Sequence, residues 1–317
     1  MSKNLYWGLL ILLLLSCTPP RDNPLDPNSP YFQGKGTISG RVTDYAGNPL
    51  SQALIFTIPQ KYATETDSLG FFLLEPDSGN WQVVANYNGY APDTIEVYLS
   101  PGGKETISFY LNGIPFFTEA KVVSYHEDRG WPIGSIYYAF VRCIVSDPDG
   151  IADIDSAHFE VPSIGIHQAL LYVDGAYEGE ISTSSCPNGT LEDLIGYDFI
   201  AYAIDKKGEK GKSDPFYLAR IIYPLPYPIW PTYKDTVSSD SSFSLIWRGI
   251  DVNYPFLYKA VICKLVSFEP IRMDSIAPPD TQLIVDSLPE GTYLWQVMGI
   301  DEFGNVTKSQ YSMFMVK

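Results

Sequence analysis

Basic residues are scarce in this chain. Its 317 residues include 21 lysines and arginines against 37 aspartates and glutamates, a formal net charge of −16. A nucleic acid partner would need a basic cluster to neutralise its phosphates, and the sequence has none. The same deficit argues against membrane attachment through a polybasic patch. We therefore expect no nucleic acid partner, and any membrane anchor must be of another kind.

Histidine occurs only three times, as His126, His158 and His167. His158 and His167 could share a metal with a nearby acid, but isolated histidines at strand ends are usually hydrogen-bonded surface residues, so no metal site is predicted there. The motifs G-x-S-x-G, G-x-x-x-x-G-K and C-x-x-C are also missing. Paired acids for glycoside hydrolysis stay open, because geometry decides them, although small sandwich modules rarely carry such a pair. The sequence therefore predicts a protein that is not an enzyme.

The sequence also lacks an apolar run long enough to cross a bilayer. Its longest, from Leu5 to Leu15, follows Lys3 and ends in Leu14-Leu15-Ser16-Cys17. This arrangement resembles the lipobox of bacterial lipoproteins. The resemblance implies cleavage before Cys17, whose sulfur and new amino group would both carry acyl chains, palmitate among them, and thereby anchor the chain stably. An ordinary secretory signal with an incidental cysteine is the alternative.

The lipobox resemblance implies a location and a first stretch of domain organisation. Residues 1–16 would be the signal peptide, and residues 17–35 would be the lipidated cysteine and a tether rich in proline. Such a tether runs near the polyproline II conformation, at about 3.1 Å per residue. Thr18, after the cysteine, resembles lipoproteins that are sorted to the outer membrane. We expect a lipid-anchored protein of the bacterial cell envelope, at the outer membrane.

Three cysteines remain once Cys17 is assigned to lipid, so they can form one disulfide at most. Cys143 and Cys186 could pair, because both fall in one predicted domain. The alternative is that all three, Cys263 included, are buried thiols. Alternation of Tyr137, Ala139, Val141, Cys143 and Val145 along a strand suits this second interpretation.

Aromatic, glycine and proline residues are abundant, and short strand patterns separated by turns fill the chain after the tether. We predict an all-β protein of three tandem β-sandwich domains, which we call the first module (residues 36–112), the second module (113–222) and the third module (223–317).

The first module resembles the carboxypeptidase regulatory-like domain, a transthyretin-like β-sandwich. The likeness rests on a G-x-V-x-D…G-x-P-L opening, a T-x-x-D-G-x-F hairpin and a G-Y corner, matched by Gly40, Val42, Asp44, Gly47, Pro49, Leu50, Thr66, Gly70, Phe72, Gly79, Gly89 and Tyr90. The resemblance implies an accessory fold without catalytic residues. A zinc carboxypeptidase itself needs H-x-x-E, and none of the three histidines has a glutamate three residues later.

The second module, with its D-P-D-G turn at residues 147–150 and A-x-D-x-x-G at 203–208, resembles bacterial immunoglobulin-like modules. The third resembles fibronectin type III domains through Trp247, the L-P-x-G-T-Y turn at 288–293 and D-x-x-G-N at 301–305. This likeness implies that Tyr293 hydrogen-bonds back across its corner.

Two further features are candidates for binding. Asp147, Asp149, Asp153 and Asp155 could offer calcium several oxygens from one turn, although an ordinary turn with solvated acids explains them as well. Aromatic residues could form a platform that stacks on sugars, with Trp131 in a loop as the best exposed of them. The candidates are Trp81, Tyr87 and Tyr90 in the first module, Trp131 and Tyr137 in the second, and Trp230 and Trp247 in the third. The more common arrangement is a loop tryptophan packed on its own module. Trp247 and Trp295 follow core alternation and should be structural.

We therefore predict a non-catalytic binding or scaffolding element of the cell envelope, without a cofactor unless calcium binds. Its partners would be the membrane, through the acyl chains, and an envelope protein or polysaccharide. The alternative is a glycan-binding module of a polysaccharide-uptake system, and a hydrolase comes after it.

Overall fold

The computed structural model describes residues 23, 26, 29 and 34–317. Cys17 and nearly all of the tether lie outside the described residues, so the lipid anchor stays a prediction. The described chain divides into two compact units, the first extending to Ile114 and the second covering Pro115–Lys317. Both are built of β-strands joined by turns, which confirms the predicted all-β class. No helix among the described residues is long and apolar enough to span a membrane.

The first unit is a sandwich of two sheets with strand orders β4-β1-β7 and β3-β2-β5-β6. β1 pairs in parallel with β7, and its other neighbour β4 is antiparallel. Alternate residues of both sheets meet in one apolar core, with Ile38, Phe72 and Phe109 from one sheet and Ile55 and Val83 from the other. The strands are β1 (Thr37–Asp44), β2 (Leu54–Ile58), β3 (Ala63–Glu65), β4 (Phe71–Leu74), β5 (Gly79–Asn86), β6 (Asp93–Leu99) and β7 (Lys104–Leu111).

The second unit begins with a sandwich in which one strand serves two sheets. Residues 166–170 of β11 pair with β10, and residues 171–173 pair with β12. One sheet therefore has the order β14-β13-β10-β11 and the other β11-β12-β9-β8. The strands are β8 (Phe116–Asp128), β9 (Ser135–Ser146), β10 (Ile154–Val161), β11 (Ile166–Val173), β12 (Ala176–Ser182), β13 (Ile200–Asp205) and β14 (Lys210–Lys212), with 3-10 turns at Ile151–Asp153, Pro162–Ile164, Thr183–Ser185 and Leu191–Leu194.

The rest of the second unit is another sandwich with its own core. Its small sheet has the order β15-β17-β20, and it faces a larger sheet that contains β22, β21, β18 and β19. Trp247, Tyr258 and Trp295 fill the space between them, and all three are almost completely buried. The strands are β15 (Tyr227–Trp230), β16 (Thr236–Val237), β17 (Phe243–Arg248), β18 (Phe256–Lys264), β19 (Pro270–Ile276), β20 (Gln282–Val285), β21 (Gly291–Asp301), β22 (Val306–Lys308) and β23 (Ser312–Val316).

One strand pair joins the two sandwiches of the second unit. β22 of the third module pairs in parallel with β8 of the second, with Val306 opposite Tyr125 and Lys308 opposite Glu127. Their sheets therefore form one continuous thirteen-stranded sheet. The sequence predicts a junction at residues 223–228, but the structure places both sandwiches in a single compact unit.

Candidate functional site

Among the described residues, the most exposed aromatic side chain lies at the tip of the β8–β9 hairpin. These strands pair from Phe116 opposite Ser146 to Asp128 opposite Ser135, so the hairpin is long and continuous. The loop that closes it exposes 96% of Trp131 and 62% of Ile133. Our expectation that Trp131 packs on its own module is wrong, because the loop leaves almost the whole indole in solvent. Large apolar side chains held in solvent are typical of interaction sites.

Hydrogen bonds within the loop hold this tip in shape. The backbone N–H of Arg129 donates to the carbonyl of Gly134 at 3.0 Å, and that of Gly134 donates to the carbonyl of Gly130 at 2.7 Å. The Asp128 carboxylate accepts the N–H of Gly130 at 2.9 Å. Three backbone N–H groups of the loop therefore have partners without help from Trp131, whose side chain is left free for contact with another molecule.

Glu127, just before the loop, connects this tip to the third module. Its carboxylate accepts hydrogen bonds from Lys308 Nζ at 3.1 Å, Tyr138 Oη at 3.0 Å and Arg129 Nε at 3.2 Å. Burial raises the pKa of Glu127, but the Lys308, Tyr138 and Arg129 donors outweigh burial and leave the pKa below its usual value. The ionised carboxylate therefore braces the base of the hairpin against β22.

A buried polar network lies beside this brace. Asn305 is 1% exposed, and its Oδ1 accepts the backbone N–H of Ser124 at 2.8 Å and the Ser124 hydroxyl at 3.2 Å. Its Nδ2 donates to Asp301 Oδ2 at 3.0 Å. Ser124 also donates to the carbonyl of Arg220, whose guanidinium pairs with Glu302 at 2.9 Å. The contacts of Asn305 with Ser124 and of Arg220 with Glu302 therefore join the second module to the third.

The segment between the modules is bound to both of them. His126 Nδ1 lies 3.3 Å from the carbonyl oxygen of Ile222, and Thr307 Oγ1 donates to the carbonyl of Pro224 at 2.8 Å. Burial lowers the pKa of His126, against the effect of its backbone hydrogen bonds, so the neutral imidazole is favoured. Tyr137 stacks on this ring at 4.1 Å between centroids. The predicted junction is therefore a packed seam.

The structure does not form the aromatic platform considered from the sequence. Trp81 is buried and donates its indole N–H to the carbonyl of Asp77 at 2.8 Å. Trp247 and Trp295 are core residues, as predicted. Tyr293 donates to the carbonyl of Pro289 at 2.8 Å, which confirms the expected corner hydrogen bond. Trp131 is left as the exposed tryptophan of the described chain.

Three of the four aspartates considered for calcium lie together. Carboxylate oxygens of Asp147, Asp149 and Asp153 are within 4.8 Å of one another. Asp155 is outside the group and exposed, because β10 begins with buried Ile154 and the next side chain points the other way. Burial raises the pKa of Asp147, and its acidic neighbours add to the effect although a hydrogen bond from the backbone of Asp149 opposes it.

This acidic loop also shows the features of an ordinary turn. Asp147 Oδ1 accepts the N–H of Asp149 at 2.7 Å, the pattern of an Asx turn. Lys207 Nζ lies 3.8 Å from Asp153 Oδ2 and offsets part of the negative charge. Calcium wants six to eight oxygens, more than three carboxylates supply as single-oxygen ligands. Calcium binding at this loop stays a prediction.

Two histidines and a glutamate meet on the outer face of β10 and β11. His158 Nε2 and His167 Nε2 lie 3.6 Å and 3.9 Å from the same oxygen, Glu160 Oε1. Burial lowers the pKa of His158, and the nearby charges of His167 and Lys210 lower it further. The sequence alone indicates separate surface histidines, because the pairing that brings them together depends on the register of a hairpin, which the sequence does not show.

The three described cysteines are free and buried. Cys143 and Cys186 belong to one apolar cluster but are not joined, so the disulfide considered for them is wrong. Cys143 alternates into the core of β9 with Val141 and Val145, and burial raises the pKa of its thiol to about 12. The alternative interpretation, buried thiols, describes all three.

Comparison with known proteins identifies the first module. Residues 37–112 match the family model of the carboxypeptidase regulatory-like domain. The first module is therefore similar to carboxypeptidase regulatory-like domains over nearly all of its length. The chain is also 32% identical over 83 residues to structural protein 27 of a virus (isolate Australia/Victoria), and the match covers 26% of this chain. It spans only 16% of that relative's length.

Solved structures give weaker likenesses. The CbhA fibronectin(III)-like modules of Clostridium thermocellum align with 64% of this chain and 93% of theirs at 12% identity and a TM-score of 0.30. The FN1–FN3 domains of chicken CNTN1 align with 85% of this chain and 92% of theirs, at 10% identity and a TM-score of 0.35. A DUF3823 family protein of Bacteroides ovatus aligns with 58% of this chain and 98% of its own, at 11% identity and a TM-score of 0.26. These TM-scores are too low to carry an argument about this protein.

The motif residues of the carboxypeptidase regulatory-like domain have structural roles here. Asp44 accepts hydrogen bonds from the backbone and side chain of Asn48 at 2.7 Å and 2.8 Å. Asp67 Oδ1 accepts the N–H groups of Leu69 and Phe71, and Gly70 between them has φ +80. Turn geometry therefore explains these residues, and the domain adds no candidate catalytic group.

Proposed function

We propose that this chain is a non-catalytic binding element of a bacterial cell envelope, anchored through lipid on Cys17 and contacting its partner through the Trp131 loop. The observation that carries the proposal is the 96% exposure of Trp131 at the tip of a braced hairpin. An isolated exposed side chain on a flexible loop would lose conformational entropy on binding. Here the loop is closed by its own hydrogen bonds, and the Glu127–Lys308 contact fixes its base.

The fused modules support a scaffolding role. Since β8 and β22 share one sheet, the second and third modules hold their loops in constant relative positions. A unit of this kind can connect two partners without a hinge between its modules. The carboxypeptidase regulatory-like domain, an accessory fold, adds a further module to the same chain.

The anchor is tested by replacing Cys17. A Cys17→Ser variant should leave the membrane fraction, and a Thr18→Ala variant, which keeps the cysteine, should stay in it. Retention of Cys17→Ser with membranes that resist a high-salt wash would refute the lipid anchor. Mass spectrometry of the N-terminal peptide of the wild-type protein provides the direct measurement.

The binding surface is tested by retention of partners. The immobilised chain is exposed to solubilised envelope of the native cell, and the retained material is identified as protein or polysaccharide. Trp131→Ala should abolish retention. Tyr233→Ala, which removes a 67% exposed aromatic elsewhere in the same unit, should not. Equal retention by both variants would refute the assignment of the loop.

A glycan-binding role is the second candidate. It is favoured by the same exposed indole, since the face of the ring can stack on the apolar face of a sugar. Retention of polysaccharide that Trp131→Ala abolishes would support this role against scaffolding of proteins. Retention of a specific protein that survives removal of glycans would support scaffolding.

A further inference from the structure

The β10–β11 hairpin gathers three metal-binding side chains on one face. His158 and Glu160 are two residues apart on β10, so both side chains project from the same side of the sheet. His167 lies directly opposite Glu160 in the antiparallel register of β11. The turn between the strands is short, with a 3-10 turn at Pro162–Ile164, so the pairing that assembles the three groups is local.

The distances in this cluster do not fit direct hydrogen bonds. Glu160 Oε1 is 3.6 Å from His158 Nε2 and 3.9 Å from His167 Nε2, whereas N–H···O bonds span about 2.7–3.2 Å. Ligands on a tetrahedral zinc ion, with bonds of about 2.0–2.2 Å, are separated by roughly 3.3–3.6 Å. The three donor atoms lie within 4.8 Å of one another. The donor atoms are therefore spaced almost as zinc ligands are, and small side-chain movements would bring them to bonding distance of one ion.

Neighbouring rings restrict the orientation of the histidines. His158 and His167 have ring centroids 4.6 Å apart, and Tyr202 stacks on His158 at 5.2 Å. Lys210 Nζ lies 3.9 Å from the centroid of the Tyr202 ring, which holds this cation against the ring. Exposure rises along the cluster, from 13% for the His158 side chain to 64% for that of His167, so the site is open to solvent on one side.

We propose that His158, Glu160 and His167 bind a divalent transition-metal ion of the zinc class, with a fourth position open. The two imidazole nitrogens are borderline ligands that favour such ions over calcium or magnesium, and zinc also accepts a carboxylate oxygen beside histidines. The fourth ligand would come from water or from a donor group of another molecule, since the group of converging donors in the described chain has only these three members. The proposal is independent of the lipid anchor and of the Trp131 loop.

The test is a titration of the full chain, in mild detergent, with zinc chloride. Isothermal titration calorimetry measures the affinity and the number of zinc ions bound. A Cys17→Ser background removes the one cysteine outside the described residues. We expect one equivalent of zinc to bind saturably. His167→Gln and Glu160→Gln should each weaken binding by about tenfold or more, since loss of even a residue that only hydrogen-bonds a ligand costs about 10–100-fold. Glu180→Gln, an exposed acid on the neighbouring β12, should change it less than about twofold, since it is no ligand.

Two results would overturn the proposal. One is the absence of saturable binding of one equivalent by the parent chain. The other is binding that His167→Gln and Glu160→Gln leave unchanged, which would place the metal elsewhere. A titration with zinc in excess calcium separates this site from the aspartate loop. Calcium would displace zinc from Asp147, Asp149 and Asp153 but would leave zinc on the two histidines and Glu160 in place. Cobalt(II) absorption provides a second readout, since its intensity reports four-coordinate geometry, and circular dichroism checks that each variant is folded.

Discussion

Asn305→Ala is the substitution that tests most directly whether the second and third modules form one unit. The side chain is 1% exposed and makes three hydrogen bonds, to the backbone and hydroxyl of Ser124 and to Asp301. Alanine removes all three and adds no clash. The backbone N–H of residue 305 keeps its bond to Asp301 Oδ1, so the turn itself is retained.

The expected loss can be worked out bond by bond. The N–H of Ser124 is left buried without an acceptor, at a cost of about 1–3 kcal/mol. The Ser124 hydroxyl still donates to the carbonyl of Arg220, and Asp301 Oδ2 still lies 3.6 Å from Arg220 Nε, so these groups lose less. A total of about 3 kcal/mol follows, which corresponds to a fall in Tm of about 6–12 °C for a unit of this size.

The assay is differential scanning calorimetry of the full chain. Asn253→Ala, at an exposed asparagine of the same unit, should change stability by less than about 0.5 kcal/mol. Ser124→Ala, which removes the hydroxyl but keeps the N–H bond, should give an intermediate loss of about 1 kcal/mol. If Asn305→Ala shifts Tm no more than Asn253→Ala does, the network does not hold the modules together and the reasoning fails.

Three further predictions can be checked with the same protein. Burial raises the pKa of Cys143 to about 12, so this thiol should resist a thiol reagent at pH 8 in the folded protein. All described cysteines should react after unfolding without a reductant. A thiol count that rises only on reduction would reveal a disulfide. Glu127→Gln should lower stability by about 2 kcal/mol at pH 7. The pKa of Glu127 is lowered in the folded state, so this difference should be present above its ordinary value of 4.5 and vanish as the pH falls through the lower folded value, which Tm measurements against pH would show. Gly40→Ala should destabilise the first module by about 2 kcal/mol or more, because the new Cβ would overlap the carbonyl oxygen of Ile107, and a calorimetric transition unchanged from wild type would contradict this.

Strands with a simple apolar alternation were predictable from the sequence. Phe243, Leu245 and Trp247 alternate on β17 and are buried, as their spacing of two residues predicts. The pattern failed where strands carry glycine or many polar residues. β12, with the sequence AYEGEIS, and β19, with PIRMDSI, carry little apolar alternation, so the sequence does not predict them. They form strands because β12 pairs with β11 and β9, and β19 pairs with β18.

The candidate sites were less predictable than the strands, because each depends on residues that are distant in sequence or on a register. The sequence predicts that Trp131 lies in a loop, but it does not show whether the indole packs on its module or, as the structure has it, faces solvent. Glu160 was not singled out, since only the β10–β11 register places it between two histidines. A sequence signal for this cluster exists in retrospect, the H-x-E pattern at residues 158–160 followed by His167 after a turn.

The pairing of β22 with β8 also explains how the second unit protects its sheet edges. An unpaired edge strand offers backbone groups to other chains and promotes aggregation. β8 is the longest strand of its module, and without β22 its outer edge near Tyr125 and Glu127 would be open. β22 is only three residues long, too short to be stable as an edge of its own, yet it is held between β21 and β8. Each module therefore covers an edge that the other exposes. This mutual cover gives a physical reason why the two sandwiches form one unit, and why the polar groups of Asn305 and Ser124 can be buried at their seam.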